Sequence, residues 1–220
     1  MSEKPVVIAL DGPAAAGKGT LGRRLAAHFG YAYLDSGLLY RAVGWRMLTD
    51  GLDPADSDAA AAVAAALTEE DLNSKELRED RVANAATIVA AHPAVRQALV
   101  GYQRRFAAAP PRDAPGAVID GRDIGTVICP EARCKIFVDA HVDVRARRRL
   151  KELQDRGVES IYSRVLRDME ERDARDRNRP IAPLAPADDA FQLDTTELDA
   201  DAAFDLAVDF ITARNKPDKS

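Results

Sequence analysis

The sequence has 220 residues, of which 46% are hydrophobic and 30% are charged, and its formal net charge is −5. This length is enough to bury one substantial core and argues against a second full domain. The negative balance excludes an overall attraction to nucleic acid or to an anionic membrane, so we expect neither as a partner and any basic site has to be local.

Two features of the chain bear on its compartment. Cys129 and Cys134 are the only cysteines, and a Cys-x4-Cys pair without further His or Cys nearby lacks the ligand count for zinc. No apolar run approaches the length of a membrane span, and the first five residues lead into a predicted strand without a signal-peptide core. We expect a cytoplasmic protein with reduced thiols.

The first predicted element is an apolar strand at residues 6–11, and a glycine-rich turn follows it directly. An apolar periodicity at residues 18–28 then predicts a helix that ends at Gly30. This is the context of a phosphate-binding P-loop, in which backbone N–H groups and a helix N-terminus bind phosphate oxygens. The predicted ATP-binding residues are Gly12, Pro13, Ala14, Ala15, Ala16, Gly17, Lys18, Gly19 and Thr20.

The loop departs in one detail from the general P-loop pattern. Gly19 directly follows Lys18, and the hydroxyl is delayed to Thr20, which is similar to the loop of nucleoside-monophosphate kinases. Lys18 is predicted to place a full charge near the β- and γ-phosphates. The alternative is a turn that merely caps a helix, and the combination of strand, lysine and helix disfavours it.

The middle of the chain is predicted to be mostly helical, with Ser36 as the cap of the second helix. The predicted segments are a strand at 31–35, a helix ending at Gly51, a helix at 53–70, a charged loop at 69–80, a helix at 81–91, a helix starting at Pro93 and a linker at 107–116.

The second half alternates short apolar runs with helical periodicity. It contains predicted strands at 117–120, 134–139 and 190–193, predicted helices at 142–156, 160–177 and 199–213, and a stretch from which Pro180, Pro183 and Pro186 exclude helix. Such short buried strands separated by helices indicate an α/β fold of the P-loop NTPase type, with a five-stranded parallel sheet and helices on both faces.

Polar residues stand where the predicted strands end, which is where ligands bind in sheets of this class. Asp120 closes an apolar strand, and with Thr20 it is the candidate to hold Mg²⁺, directly or through water. Arg122 could bind a phosphate with two parallel hydrogen bonds. Because Asp123 would neutralise Arg122 if both faced one phosphate, we infer that Asp123 binds a donor such as an exocyclic amine. A turn residue at Asp120 and a surface ion pair at Arg122 and Asp123 are the alternatives.

A second anion site is predicted after the second strand. Ser36 offers another helix N-terminus, and Tyr40 lies four residues on and hence on the same face, with Arg41 adjacent. Helix capping and core packing explain Ser36 and Tyr40 equally well in isolation.

The late stretch at residues 171–180 is densely charged. If it is helical, Arg172, Asp176 and Arg179 share one face at i, i+4 and i+7. Two cations flanking one carboxylate suit a ligand with a phosphate and a ribose hydroxyl. A solvated helix surface is the alternative.

Together these motifs resemble the bacterial cytidylate kinases. The resemblance rests most on Asp-Gly-Arg-Asp-x-Gly-Thr-Val at residues 120–127 and on Arg-Asp-x-Arg-Asp-x-Asn-Arg at residues 172–179, and it runs nearly end to end. It implies transfer of the γ-phosphoryl group of ATP to CMP or dCMP with Mg²⁺. It also implies one domain with a core at about 1–50, 108–154 and 180–215, an NMP-binding region at about 51–107 and a lid at about 155–170.

The resemblance also implies roles for individual residues. The predicted catalytic residues are Lys18, Arg122 and Arg172. The predicted substrate contacts are Ser36, Arg41, Arg122 and Arg179 around the CMP phosphate, Arg96, Asp123 and Thr87 at cytosine, and Arg172 and Asp176 at the ribose. Tyr40 is a further predicted substrate-binding residue. Beside these, Arg145, Arg148 and Arg149 are candidate lid-side arginines, and solvated helix charges are the alternative.

One departure from the family pattern concerns the NMP-binding region. Many members carry a β-rich insert there, whereas residues 67–81 of this chain contain no alternating hydrophobic strands.

We expect a monomer. The alternatives are another P-loop small-molecule kinase, of the UMP/CMP or shikimate type, and a regulatory NTP-binding protein without catalysis.

Overall fold

The computed structural model describes residues 5–179 and 181–215, and of Asp80 the backbone alone. Its strands are β1 (Val6–Asp11), β2 (Ala32–Asp35), β3 (Gly116–Gly121), β4 (Cys134–Asp139) and β5 (Phe191–Asp194). They form one sheet in the order β2-β3-β1-β4-β5, in which β1 pairs in parallel with β3 and β4, and β4 with β5. The predicted α/β fold with a five-stranded parallel sheet is confirmed.

The helices of the described residues are α1 (Lys18–Phe29), α2 (Ser36–Thr49), α3 (Ser57–Ala65), α4 (Asp80–Val89), α5 (Pro93–Ala108), α6 (Val142–Asp155), α7 (Tyr162–Arg177) and α8 (Ala200–Arg214). Short 3-10 turns cover Glu70–Asn73, Lys75–Arg78 and Pro111–Asp113, and a π-helical segment covers Ile124–Ile128. Within the described ranges no helix has both the length and the apolar character needed to cross a membrane.

The chain divides into two compact units. The first takes the chain up to Leu34 and again from Pro110, and the second is Asp35–Ala109. We predicted that α2 belongs to the core and that the NMP-binding region starts at residue 51. By its contacts the second unit begins with α2, because α2 packs against the later helices α3 and α4. The bounds of the NMP-binding region and the lid stay predictions. The contact with α4 is close: a Cβ at Gly44 would lie 2.8 Å from the backbone nitrogen of Ala86.

The core of the first unit surrounds the central strand β1. Ile8 of β1, Leu25 of α1 and Ile211 of α8 are buried in one apolar cluster. β1 is a nearly continuous apolar run because a central strand of a parallel sheet is covered on both faces. α1 ends as predicted at Gly30, which has a φ of +69° and donates its N–H to the carbonyl of Ala26. Pro180, one of the three prolines predicted to exclude helix, lies outside the described residues.

The helix predicted over residues 53–70 is shorter in the structure. It is confined to α3. The helix starts there because the Asp56 carboxylate accepts the N–H groups of Asp58 and Ala59.

The segment at residues 69–80, predicted to be a loop, contains two of the 3-10 turns. Leu77 is buried there, and Asp71 is buried in an ion pair with Arg46 of α2 at 3.0 Å. These side chains anchor the segment to the second unit, and neither contact was visible as a sequence periodicity.

Candidate functional site

Two glycines of the predicted phosphate-binding loop have conformations that favour glycine. Gly12 has a φ of +144°, and a Cβ there would lie 1.9 Å from the carbonyl oxygen of Val138 on β4. Gly17 has a φ of +98° and is the N-cap residue of α1, where no side chain caps the helix. The first N–H groups of a helix have no intrahelical partners, and with the helix dipole they suit a phosphate oxygen.

Lys18 lies folded back onto this loop. The residue is 5% exposed, and its Nζ donates to the carbonyl of Pro13 at 2.7 Å. Burial and then the Arg122 cation lower the pKa of Lys18 to about 7, although Asp120 and Asp11 act in the opposite direction. A ligand with phosphate oxygens would supply the missing negative charge and raise this pKa again.

Asp120 lies buried at the end of β3 and faces the first turn of α1. It accepts a hydrogen bond from the hydroxyl of Tyr33 at 3.2 Å, and a Cβ at Gly19 would lie 3.6 Å from its Oδ2. Thr20 is exposed one step further along α1, about 100° around the helix from Gly19. A buried carboxylate opposite a helix N-terminus that suits phosphate fits a Mg²⁺ ion that is held mostly by phosphate oxygens and water.

The charged stretch of α7 contributes to a partly buried ion cluster. Asp176 is 3% exposed, Arg122 Nε donates to its Oδ2 at 3.2 Å, and Arg179 Nη2 donates to its Oδ1. α7 ends at Arg177, so Arg179 lies beyond the helix and not, as predicted, on its i+7 face. Two guanidinium groups around one carboxylate leave a net positive charge, which suits an anionic ligand.

Arg172 lies one turn before Asp176 in α7, and the residue is exposed. After burial and the Arg122 cation, the Arg172 charge also contributes to the lowered pKa of Lys18. Arg172 and Arg122, two of the predicted catalytic residues, therefore lie within electrostatic range of the third, Lys18.

Asp123 follows Arg122 and is the N-cap residue of the π-helical segment, but its side chain makes no capping hydrogen bond. The Asp11 carboxylate takes that place: its two oxygens accept the N–H groups of Ile124 at 2.8 Å and Gly125 at 2.7 Å. We predicted no role for Asp11. The available signal was its position, because it closes an apolar strand just as Asp120 does.

The second unit carries the remaining predicted substrate-binding residues, which are Ser36, Tyr40, Arg41, Thr87 and Arg96. The prediction that Ser36 caps α2 is wrong. Asp35 is the N-cap residue and its carboxylate accepts the Gly37 N–H at 2.9 Å, whereas Ser36 is the first helical residue and is buried. A carboxylate one position before the helix has the reach to bond its first free N–H groups.

Other polar side chains of the second unit bond to its backbone. Arg41 Nη1 donates to the carbonyl of Leu77 at 2.9 Å, which ties α2 to the second 3-10 turn. The exposed Thr87 hydroxyl donates to the carbonyl of Ala83 within α4, at 3.0 Å. Arg96 is half-buried on α5.

The cytidylate kinase family model matches residues 8–213, which is nearly the whole chain. The chain belongs to the cytidylate kinase family. The chain is 59% identical over 208 residues to a cytidylate kinase of Paramagnetospirillum magneticum, covering 94% of this chain and 98% of that protein. It is 53% identical over 211 residues to a cytidylate kinase of Rhodospirillum rubrum, covering 96% and 99%. The resemblance seen in the motifs is thereby confirmed.

Solved structures with low sequence identity share the fold of this family member. A protein of Eubacterium ventriosum superposes with a TM-score of 0.54 at 14% identity, covering 94% of this chain and 99% of that one. A sugar kinase of Janibacter superposes with a TM-score of 0.50 at 12% identity, covering 94% and 95%. These likenesses concern the fold alone.

In this cytidylate kinase family member, Arg145, one of the three candidate lid-side arginines, is buried in α6. Its Nη2 donates to Asp173 of α7 and its Nη1 to the carbonyl of Ala14 at 3.3 Å, which tethers the glycine-rich loop to α6 and α7. Arg148 donates to the hydroxyl and to the carbonyl of Thr195. No pattern in the sequence pointed to Asp173 as the partner of Arg145.

Proposed function

We propose that this chain transfers the γ-phosphoryl group of ATP to CMP or dCMP, giving ADP and CDP or dCDP. The family to which it belongs is named for this reaction. Within the first unit, the observation that supports the proposal most is the pair of cationic sites, Lys18 in its loop and the arginines around Asp176. Phosphoryl transfer between two nucleotides needs one such site for the donor and one for the acceptor.

On the donor side, we assign the ATP phosphates to residues 12–20. The positive φ angles of Gly12 and Gly17 are ones that L side chains rarely adopt, and they give the loop the shape in which its N–H groups can bind phosphate. Lys18 would exchange its bond to the Pro13 carbonyl for one to the β- and γ-phosphates, where it regains its full charge. The loop therefore supplies both backbone donors and a mobile cation.

On the acceptor side, we assign the CMP phosphate to Arg122 and Arg179 and the ribose to Arg172 and Asp176. Asp123 is assigned to cytosine, because a carboxylate accepts a hydrogen bond from an exocyclic amino group that uracil lacks. The roles of Ser36, Tyr40, Arg41, Thr87 and Arg96 stay predictions from the resemblance.

Asp120 and Thr20 would hold the Mg²⁺ that accompanies ATP. The ion neutralises charge on the β- and γ-phosphates and orients them for transfer. Tyr33 contributes by holding the Asp120 carboxylate in place. The assignment of Asp120 is the better supported of the two, because Asp120 faces the start of α1 whereas Thr20 is exposed.

Chemistry of this kind requires positioning more than proton transfer. A phosphate dianion is already a nucleophile, so no general base is needed for its in-line attack on ATP. The chain's contribution is to neutralise charge with Lys18, Arg122 and Arg172 and to exclude water. We expect the protein to act as a monomer in the cytoplasm.

A panel of acceptors tests the proposed function. ADP formation is measured with CMP, dCMP, UMP, AMP and shikimate in the presence of Mg²⁺ and ATP, and CMP and dCMP are expected to support turnover. Lys18→Ala should lower kcat by about 100- to 1,000-fold with the fold retained, since it removes a preorganised cation. Lys151→Ala, at an exposed lysine of α6, is the control and should leave kcat unchanged.

The other outcomes of the panel identify the alternatives. Turnover with shikimate, or a preference for UMP, would make the chain another small-molecule kinase. Binding of ATP without ADP formation from any acceptor would favour a regulatory NTP-binding protein. Normal turnover of Lys18→Ala would reject the P-loop assignment itself.

A further inference from the structure

We propose that Asp11 is a positioning residue for the acceptor site: it holds the two-residue span Arg122–Asp123 at both ends and so sets where these two side chains point. The proposal rests on the proposed function, because Arg122 and Asp123 are assigned there to CMP. Asp11 itself is not assigned any contact with substrate.

The Asp11 backbone holds the first end of this span. Asp11 is the last residue of β1 and pairs in parallel register with Gly121, the last residue of β3. The position of Gly121 is therefore fixed by the sheet, and Arg122 is the first residue beyond it.

The Asp11 side chain holds the second end. Its Oδ1 accepts the N–H of Ile124 at 2.8 Å and its Oδ2 that of Gly125 at 2.7 Å. These are the first two residues of the π-helical segment, and N–H groups at such a position need a partner from outside the helix. Since Asp123 provides no side-chain cap, a carboxylate 113 residues away in sequence does so.

The contact is tight and leaves little freedom for the span. Asp11 is 5% exposed, and a Cβ at Gly125 would lie 3.3 Å from its Oδ2 and 3.2 Å from Cδ of Lys135. Lys135 is itself fixed by its ion pair with Asp189 at 2.8 Å. The glycine therefore permits the close approach, and the lysine stem closes the other side.

The charge of Asp11 also favours this role over simple packing. Burial raises the pKa of Asp11 to about 6, while the two N–H groups and Lys18 act to lower it and Asp123 adds to the rise. At neutral pH both carboxylate oxygens therefore remain acceptors, as the two N–H groups require. π-helical segments occur frequently at functional sites, which fits a turn that aims substrate-binding side chains.

Asp11→Asn tests the proposal, because the amide has nearly the same shape but can accept at one end only. Its NH2 group then faces an N–H group, so one hydrogen bond is lost and the span is released at its far end. We expect KM for CMP to rise by about tenfold or more and the preference for CMP over UMP to fall, whereas KM for ATP changes by less. Asp205→Asn, at an exposed aspartate of α8, is the control and should leave KM for CMP and the preference unchanged.

A purely structural role would give a different result. If Asp11→Asn lowers the melting temperature but leaves KM for CMP and the CMP/UMP preference at wild-type values, the proposal is overturned. If Asp11→Asn does not fold, Gly125→Ala takes its place, because the added Cβ pushes on the same carboxylate and should again raise KM for CMP selectively.

A measurement on the wild-type protein separates this proposal from the proposed function. The amide protons of Ile124 and Gly125 should exchange with solvent slowly, as expected for N–H groups bonded to a buried carboxylate. Rapid exchange at both would overturn the capping, whatever the enzyme phosphorylates. Slow exchange in a protein that fails to phosphorylate CMP would refute the function and leave the capping intact.

Discussion

The two cationic sites of the first unit are built in different ways. The glycine-rich loop is a contiguous run of nine residues at positions 12–20, and its shape depends on backbone conformation, as at Gly12 and Gly17. The arginine cluster is assembled from side chains, and its central bond joins Arg122 to Asp176 across 54 residues of sequence.

This difference determines how each site can fail. A backbone site is lost when a residue cannot adopt the required φ and ψ, and such a change also strains the fold around it. A side-chain site is lost when an orienting partner disappears, and the fold can survive because the backbone is unaffected. Predictions for the two sites should therefore separate stability from catalysis.

The largest effect is expected at Gly12. In Gly12→Ala the new Cβ would overlap the carbonyl oxygen of Val138, at a φ of +144° that alanine rarely adopts. We expect the free energy of unfolding to fall by more than about 3 kcal/mol, and ATP binding to be lost with it. The measurement is urea denaturation followed by circular dichroism.

Gly30→Ala is the matched control for this change. Gly30 also has a positive φ, of +69°, but a Cβ there would have no atom within 4 Å. Gly30→Ala should lower the free energy of unfolding by only about 1–2 kcal/mol, which is the strain of the left-handed conformation alone. If Gly12→Ala and Gly30→Ala lowered the free energy of unfolding equally, the contact with Val138 would not restrict the loop.

An intermediate effect is expected at Asp176. Asp176→Asn keeps the shape of the side chain but removes the charge that holds Arg122 and Arg179, so the guanidinium groups lose their orientation. We expect kcat to fall by about 10- to 100-fold, with a smaller change in the affinity for ATP and little change in stability.

Asp168→Asn provides the comparison on the same helix. Asp168 is exposed on α7, and its replacement should leave kcat near the wild-type value. Steady-state kinetics with CMP measure both variants. Were Asp176→Asn and Asp168→Asn to behave alike, the cluster would be a surface feature without a role in transfer.

The smallest expected effect concerns the protonation of Lys18. Because its pKa is lowered to about 7 without a ligand, and phosphates favour the charged form, ATP binding should take up a proton. At one pH unit above that pKa, the uptake should approach about one proton per ATP bound. The affinity for ATP should decline as the pH rises further towards the ordinary pKa of lysine, because the free protein then has to gain the proton that the complex holds.

Calorimetric titration of ATP in two buffers of different ionisation enthalpy measures this uptake directly. Lys18→Arg stays protonated over the same pH range, so its ATP binding should show no corresponding uptake. An identical proton uptake in that variant would assign the proton to another group. Such a result would leave the loop as an anion site but would contradict the buried, partly neutral state of Lys18.

The sequence by itself determined the parts of this protein that depend on near neighbours. The glycine-rich loop, the apolar strands and the helix end at Gly30 follow from local φ and ψ preferences and from periodicity within a few residues. The end of β4 at Asp139 and that of β1 at Asp11 were both predicted from such runs. The same local reasoning placed Asp120 and Arg122 where a strand ends.

Only the tertiary structure decided which side chains became partners. Asp11 caps a segment 113 residues away, Arg145 pairs with Asp173 in another helix, and Asp176 is buried although its surroundings in the sequence are charged. These contacts depend on the spatial order of the strands in the sheet, because that order brings loops that are distant in sequence to one edge. Local sequence carries no record of that order, because a hydrogen bond or an ion pair depends on distance in space and not on separation along the chain.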